Sequence, residues 1–272
     1  MARRVKTLME RIRKNIALPE MKILPGQLAF FVILMLVPLI ALILSIASNL
    51  HISDNMLDTI KTSQLPDMII SFIEYIDAND GLHVNTTIFF VSALILASNG
   101  PNSMIIASNQ IYKIKSKGFL YDRVKSVFML FVLILLVLFV ILVPVLGNYI
   151  VQWINVMVTS NDVSSYITTI YSILNLPISW FFIFFSVKLL YTLAPDERIP
   201  SKNVNYGALF TSFGWILFTK LYSVYINVFS GYSTIYGGIS GLIILMWWIY
   251  FLMYIFVMGM ALNVSKYEER KE

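Results

Sequence analysis

The apolar positions of this 272-residue chain fall into long runs separated by short polar segments. Leu28–Ser48, Val127–Val158 and Ile239–Leu262 carry no charge, and each reaches the roughly 20 residues that a helix needs to cross a bilayer core. Three further runs are apolar but interrupted. The run at about 86–112 holds Asn99-Gly100-Pro101-Asn102-Ser103 in its middle, which leaves flanking pieces of 13 and 9 residues, each too short to cross alone. The run at about 166–191 contains Asn175-Leu176-Pro177, and the run at about 206–228 contains Gly207, Gly214 and Lys220. The pattern predicts an all-α, polytopic membrane protein: six transmembrane helices forming one membrane domain over 1–272. A break at membrane depth is tolerated only inside protein or beside water, so the second span is expected to turn its interruption away from lipid. The 32 uncharged residues of the third span would measure about 48 Å as straight helix. It must tilt, bend near Pro144–Gly147, or protrude.

Two segments outside the spans are amphipathic. Residues 1–22 are basic, with Val5, Leu8, Met9, Ile12 and Ile16 at helical spacing, as in a helix lying on a membrane surface. Residues 49–85 carry Asp54, Asp58, Asp67, Glu74, Asp77 and Asp80 against Lys61. Their apolar positions Met56, Leu57, Ile60, Met68, Ile69, Phe72, Ile73 and Ile76 recur every three to four residues, with an interruption at Pro66. This predicts two short helices that cover one face of the bundle.

Charge adds an orientation. The polar segments carry seven Lys or Arg in 1–27, one in 49–85, five in 113–126, none in 159–165, three in 188–205, none in 229–238 and three in 263–272. Cytoplasmic loops collect Lys and Arg, so the alternation predicts cytoplasmic termini, with 49–85 outside. The composition is 58% hydrophobic and 13% charged, against about 25% charged for a soluble domain. Mean hydropathy is +0.77 and the pI is about 9.2. The net charge of +5 follows from the topology and from attraction to anionic lipid, so no nucleic-acid partner is implied. The first run is longer than a signal-peptide core and precedes no soluble domain. The absence of cysteine excludes disulfides, thiolate metal sites and Cys nucleophiles.

One charge falls inside a span. Counted from Tyr206, Lys220 lies about 21 Å along its helix, and a Lys near the bilayer centre costs at least about 2.5 kcal/mol. No Asp or Glu lies within a predicted span. Three arrangements would satisfy the amine: snorkelling or contact with freed carbonyls, a salt bridge to a dipping acid such as Glu74, or a polar cavity that accepts an anionic headgroup. Asn99, Asn102, Ser103, Asn109, Asn148 and Asn175 add polar groups at membrane depth, where each prefers a protein partner. Tyr222, Tyr225 and Tyr236 belong to the outer region, beside the uncharged loop Gly231–Gly238. The substrate-binding candidates are therefore Lys220, Asn99, Asn102, Asn109, Tyr225 and Tyr236, with Lys220 expected to face the bundle interior. The two histidines, His51 and His83, show no metal-ligand spacing, and no phosphate-binding Gly-rich loop or HExxH is present. No catalytic residue, metal or cofactor is expected. Glu10, Glu20, Asp122, Asp196 and Glu197 lie scattered among basic residues, as solubilising charges do.

Several local patterns resemble the YihY/BrkB family of bacterial inner-membrane proteins. They are Gln27-Leu28-Ala29-Phe30-Phe31 leading to Pro38, Asn109-Gln110-Ile111-Tyr112 before a basic loop, Tyr191-Thr192-Leu193-Ala194-Pro195 with Arg198-Ile199-Pro200 and Gly207-Ala208, and Trp215, Lys220, Tyr225 and Tyr236-Gly237. The resemblance covers roughly 20–265 and implies six spans in an inner-membrane protein without a settled activity. Members once carried a ribonuclease label; this sequence offers no cytoplasmic cluster of His or acids for that chemistry. The expected function is transport or flipping of an anionic, lipid-like amphiphile, with membrane lipids as partners. The alternatives are a non-catalytic scaffold or envelope-assembly factor and a membrane-embedded lipid-modifying enzyme.

Overall fold

The computed structural model describes residues 20–49, 86–136, 151, 161–228 and 240–271, and every regular element in them is helical. In chain order these are α1 (Glu20–Asn49), α2 (Thr86–Ala97), α3 (Asn99–Tyr112), α4 (119–136), α5 (Asn161–Leu193), a 3₁₀ turn (Ser201–Asn203), α6 (Asn205–Val228) and α7 (Ser240–Lys271). Three of them contain stretches long and apolar enough to cross a membrane: Thr168–Leu193, Asn205–Ile226 and Gly241–Val264. These coincide with the fourth, fifth and sixth runs read from the sequence. The amphipathic segments 1–22 and 49–85, most of 137–158, the loop 229–238, Asn148 and Tyr236 lie outside or almost outside the described residues.

The helices are apolar all round, so hydropathy alone does not tell which face packs. Burial does. On α1, Met21, Leu24, Leu28, Met35 and Leu39 are buried at three-, four- or seven-residue spacing, while Ile23, Phe30 and Leu34 are exposed. On α7, Ile249, Leu252, Met253, Phe256, Val257, Met260 and Val264 form a buried stripe of the same period. α1 packs against α7 and along α2 and α3, and α6 packs between α5 and α7.

α6 and α7 are joined by an antiparallel ladder of hydrogen bonds. Gly207 N–H donates to Asn263 Oδ1 (2.7 Å), Thr211 Oγ1 to the Ile255 carbonyl (3.4 Å), and Trp215 Nε1 to the Leu252 carbonyl (2.8 Å). Trp248 Nε1 donates to Thr219 Oγ1 (3.3 Å), and Tyr222 OH to the Ile244 carbonyl. The α6 members are spaced four, four, four and three residues apart, so they share one face. Small residues bring the backbones together: a methyl added at Gly207 would collide with the Gly259 carbonyl, and one at Gly259 with Thr211 Oγ1 and the Tyr191 hydroxyl. Close approach plus polar contact is how helices associate where lipid removes the hydrophobic drive. Tyr191 of α5 completes the joint, donating to the Phe256 carbonyl at 2.6 Å and lying within hydrogen-bond distance of Thr211 Oγ1 at 2.7 Å.

The interruption of the second apolar run is real but lies one residue early. The helix breaks at Ser98, and Asn99–Ser103 forms the first turns of α3. Pro101 is accommodated there because N–H groups in a first helical turn lack intrahelical partners anyway. The Ile95 carbonyl is taken by Ser98 Oγ (2.8 Å) and Arg123 Nη2 (3.0 Å), while Arg123 Nη1 donates to Asn99 Oδ1 (2.9 Å). Ala97, Ser98, Gly100, Pro101 and Ser103 are buried. The break faces protein, as expected.

Candidate functional site

The loops at one end of the bundle carry its most elaborate polar structure. α3 ends at Lys113, which adopts the left-handed conformation (φ 55°), and the Ile114 N–H returns to the Asn109 carbonyl (2.8 Å). This closes the helix in the manner of a left-handed C-terminal cap. Gly118, at φ 114°, then reverses the chain into α4, a conformation that L side chains rarely adopt. Ser116 Oγ holds the turn by donating to Asp122 (2.7 Å) and accepting from the Gly118 N–H (3.0 Å). α5 stops at Leu193, two residues before Pro195.

These two turns meet at Asp196. Its carboxylate, closed to solvent, accepts from Lys125 Nζ at 2.7 Å and from Asn109 Nδ2 at 2.7 Å. The Asp196 N–H donates to Asn109 Oδ1 at 3.0 Å. Lys125 spends its other protons on the Ala194 (2.9 Å) and Pro195 (2.8 Å) carbonyls. Burial alone would push the Asp196 carboxyl up. The hydrogen bonds from Lys125 and Asn109, the Lys125 charge and a backbone hydrogen bond from Lys117 outweigh it and hold the carboxyl below its ordinary value.

Beside this ion pair opens a cleft of about 340 Å³, lined by Lys117, Tyr121, Lys125, Phe128, Met129, Thr192, Leu193, Pro195, Asp196, Glu197 and Arg198. Lys117 Nζ lies 4.8 Å from the centre of the Tyr121 ring. Arg198 and Glu197 are exposed and make no hydrogen bond or ion pair among the described residues. Because Lys125 and Asp196 neutralise each other, the charges free to meet a ligand are Lys117, Arg198 and Glu197. On α4, exposed Val124, Phe128, Phe131 and Leu135 follow one another at four, three and four residues. They form an apolar stripe about 16 Å long that starts at the cleft.

The structure does not gather the sequence-derived candidates into one cavity. Lys220, expected to face the interior, is exposed on α6 together with Leu217, Leu221 and Val224. The ladder explains the correction: directing Thr219 and Tyr222 at α7 turns position 220 outward. Among the described residues Lys220 has no hydrogen bond or ion pair. Asn99 is bound by Arg123, Asn109 is bound by Asp196, and Asn102 is half-buried in the first turn of α3. Tyr225 is exposed and stacks on Tyr222 with ring centres 6.3 Å apart. Asn175 accepts from Ser179 one turn later on α5 (3.3 Å). Asp196, expected to be a solubilising charge, is instead the buried centre of the loop junction. Lys117, Arg123, Lys125 and Arg198 were legible only as topology charges. The one local hint was Asp196–Arg198, enclosed between Tyr191–Pro195 and Ile199–Pro200. Among the described residues no three His, Cys, Asp or Glu side chains converge as a metal site.

Among the described residues, membrane-length apolar helices joined by glycines and interhelical hydrogen bonds define the class as an integral membrane protein. The chain belongs to the family described as virulence factor BrkB, whose model matches residues 19–272. Among its relatives is YfkH of Bacillus subtilis (strain 168), named as ribonuclease-like, which is 27% identical over 254 residues, covering 90% of each chain. The membrane protein YihY of Salmonella newport (strain SL254) is 30% identical over 112 residues, which are 41% of this chain and 37% of YihY. YihY of Salmonella heidelberg (strain SL476) matches to the same extent. No solved structure matches the chain.

Proposed function

We propose that this is a six-span protein of the bacterial inner membrane, with both termini in the cytoplasm, that moves a phosphate-bearing amphiphile across the bilayer without chemical change. The observation that carries the reading is the cleft, in which cations without buried counterions open onto an apolar stripe. That is the combination an amphiphile presents in reverse.

The orientation rests on the charge pattern, and two contacts agree with the basic segments sharing one side. Lys125 with Asp196, and Gly207 with Asn263, bring the basic segments 113–126, 188–205 and 263–272 to one end of the bundle. Even numbers of crossings between those segments would do the same.

One observation favours a second reading, a scaffold or envelope-assembly factor: Asn99 is bound by Arg123, Asn109 by Asp196, and Gly207, Thr211, Trp215, Thr219 and Tyr222 by α7. Lipid copurification separates the two. Phospholipid that remains with the purified protein and is lost in Lys117→Gln/Arg198→Gln supports amphiphile handling. Equal lipid content in wild type and the double variant supports the scaffold.

A further inference from the structure

The cleft contains an anion that its proposed ligand would have to face. Glu197 lies between Asp196 and Arg198, is exposed, and has no partner among the described residues. Asp196 cannot share its role, since both carboxylate oxygens are occupied by Lys125 and Asn109. A purely anionic headgroup drawn in by Lys117 and Arg198 would be repelled by Glu197, which lines the same cleft. A headgroup with an ammonium beside its phosphate has a partner for every free charge in the cleft. We infer that the ligand is a phospholipid with a zwitterionic phosphate–amine headgroup: the phosphate at Lys117 and Arg198, the amine at Glu197, and an acyl chain along Phe128, Phe131 and Leu135.

The occupant is a lipid and not a soluble phosphoamine because Phe128 both lines the cleft and belongs to the exposed stripe. A ligand that filled only the polar end would leave that continuity unused. The inference rests on the cleft being a phosphate site, and it adds the amine.

The test uses the purified full-length protein in detergent micelles carrying equal amounts of phosphatidylethanolamine and phosphatidylglycerol, with bound lipid counted by native mass spectrometry. Wild type should hold phosphatidylethanolamine over phosphatidylglycerol by about two- to fivefold, the range that one exposed charge pair supplies. Glu197→Gln should bring the two lipids to parity with total bound lipid unchanged. Lys117→Gln/Arg198→Gln should lower both lipids together. Glycerophosphoethanolamine, which lacks the acyl chains, should not displace the lipid. Parity in wild type, or an undiminished preference in Glu197→Gln, overturns the amine assignment while leaving the phosphate cleft standing. Unchanged binding of both lipids in the double variant removes the cleft itself. Displacement by glycerophosphoethanolamine overturns the lipid as occupant.

Discussion

Asn109 and Asp196, 87 residues apart, are joined by a closed pair of hydrogen bonds: the Asn109 amide donates to the Asp196 carboxylate at 2.7 Å and accepts the Asp196 N–H at 3.0 Å. One side chain thereby fixes both the charge and the backbone of the loop that forms one wall of the cleft. Asn109→Ala removes both bonds and leaves a buried carboxylate with Lys125 as its remaining side-chain partner. The expected loss is about 2 kcal/mol, typical of hydrogen bonds to charged groups. Thermal unfolding in detergent measures it, and an unchanged midpoint would mean that the loop is held elsewhere.

Acid should open the same junction. The Asp196 carboxyl is held below its ordinary 3.8, so the folded state binds its proton less readily than the unfolded chain. Its stabilisation is complete above the unfolded value and is withdrawn as pH falls through the lowered folded value. Unfolding midpoints followed from neutral pH down to about pH 3 should fall more steeply for wild type than for Asp196→Asn. Parallel curves would contradict this.

Close approach of α6 to α7 gives a prediction with an internal control. Gly207→Ala places a methyl against the Gly259 carbonyl and should destabilise the protein by about 1–3 kcal/mol. Gly26→Ala, whose nearest neighbour would be Tyr250 at 4.0 Å, should be neutral or slightly stabilising. Equal unfolding midpoints for the two variants would refute the tight crossing.

The apolar runs made the three membrane-length helices legible, because length and hydropathy are local properties. The Ser98 break was legible for the same reason: Gly100 and Pro101 announce it within a few residues. The partners were not. Arg123 answers the freed Ile95 carbonyl from 28 residues away, and Lys125 reaches Asp196 across 71. No periodicity links such pairs, so each looked like one more charge in a basic segment. Lys220 was read correctly as exceptional and incorrectly as interior. Its direction depends on which α6 face meets α7, and in a helix apolar all round only small residues and hydrogen-bonding groups decide that.

Topology has a clean probe in a chain without cysteine. In intact cells, an impermeant thiol reagent should label Asp80→Cys and spare Phe119→Cys. The reverse pattern would invert the orientation and place the cleft on the outer face.

Translocation itself tests the central claim most directly. The protein is reconstituted into liposomes with a fluorescent phosphate-headgroup lipid in both leaflets, and dithionite is added outside. Wild type should expose the inner-leaflet lipid faster than protein-free liposomes do. Lys117→Gln/Arg198→Gln, reconstituted in an equal amount, should lose that acceleration. Bleaching by wild type at the protein-free rate, for every phosphate-headgroup lipid tried, would contradict the transport reading.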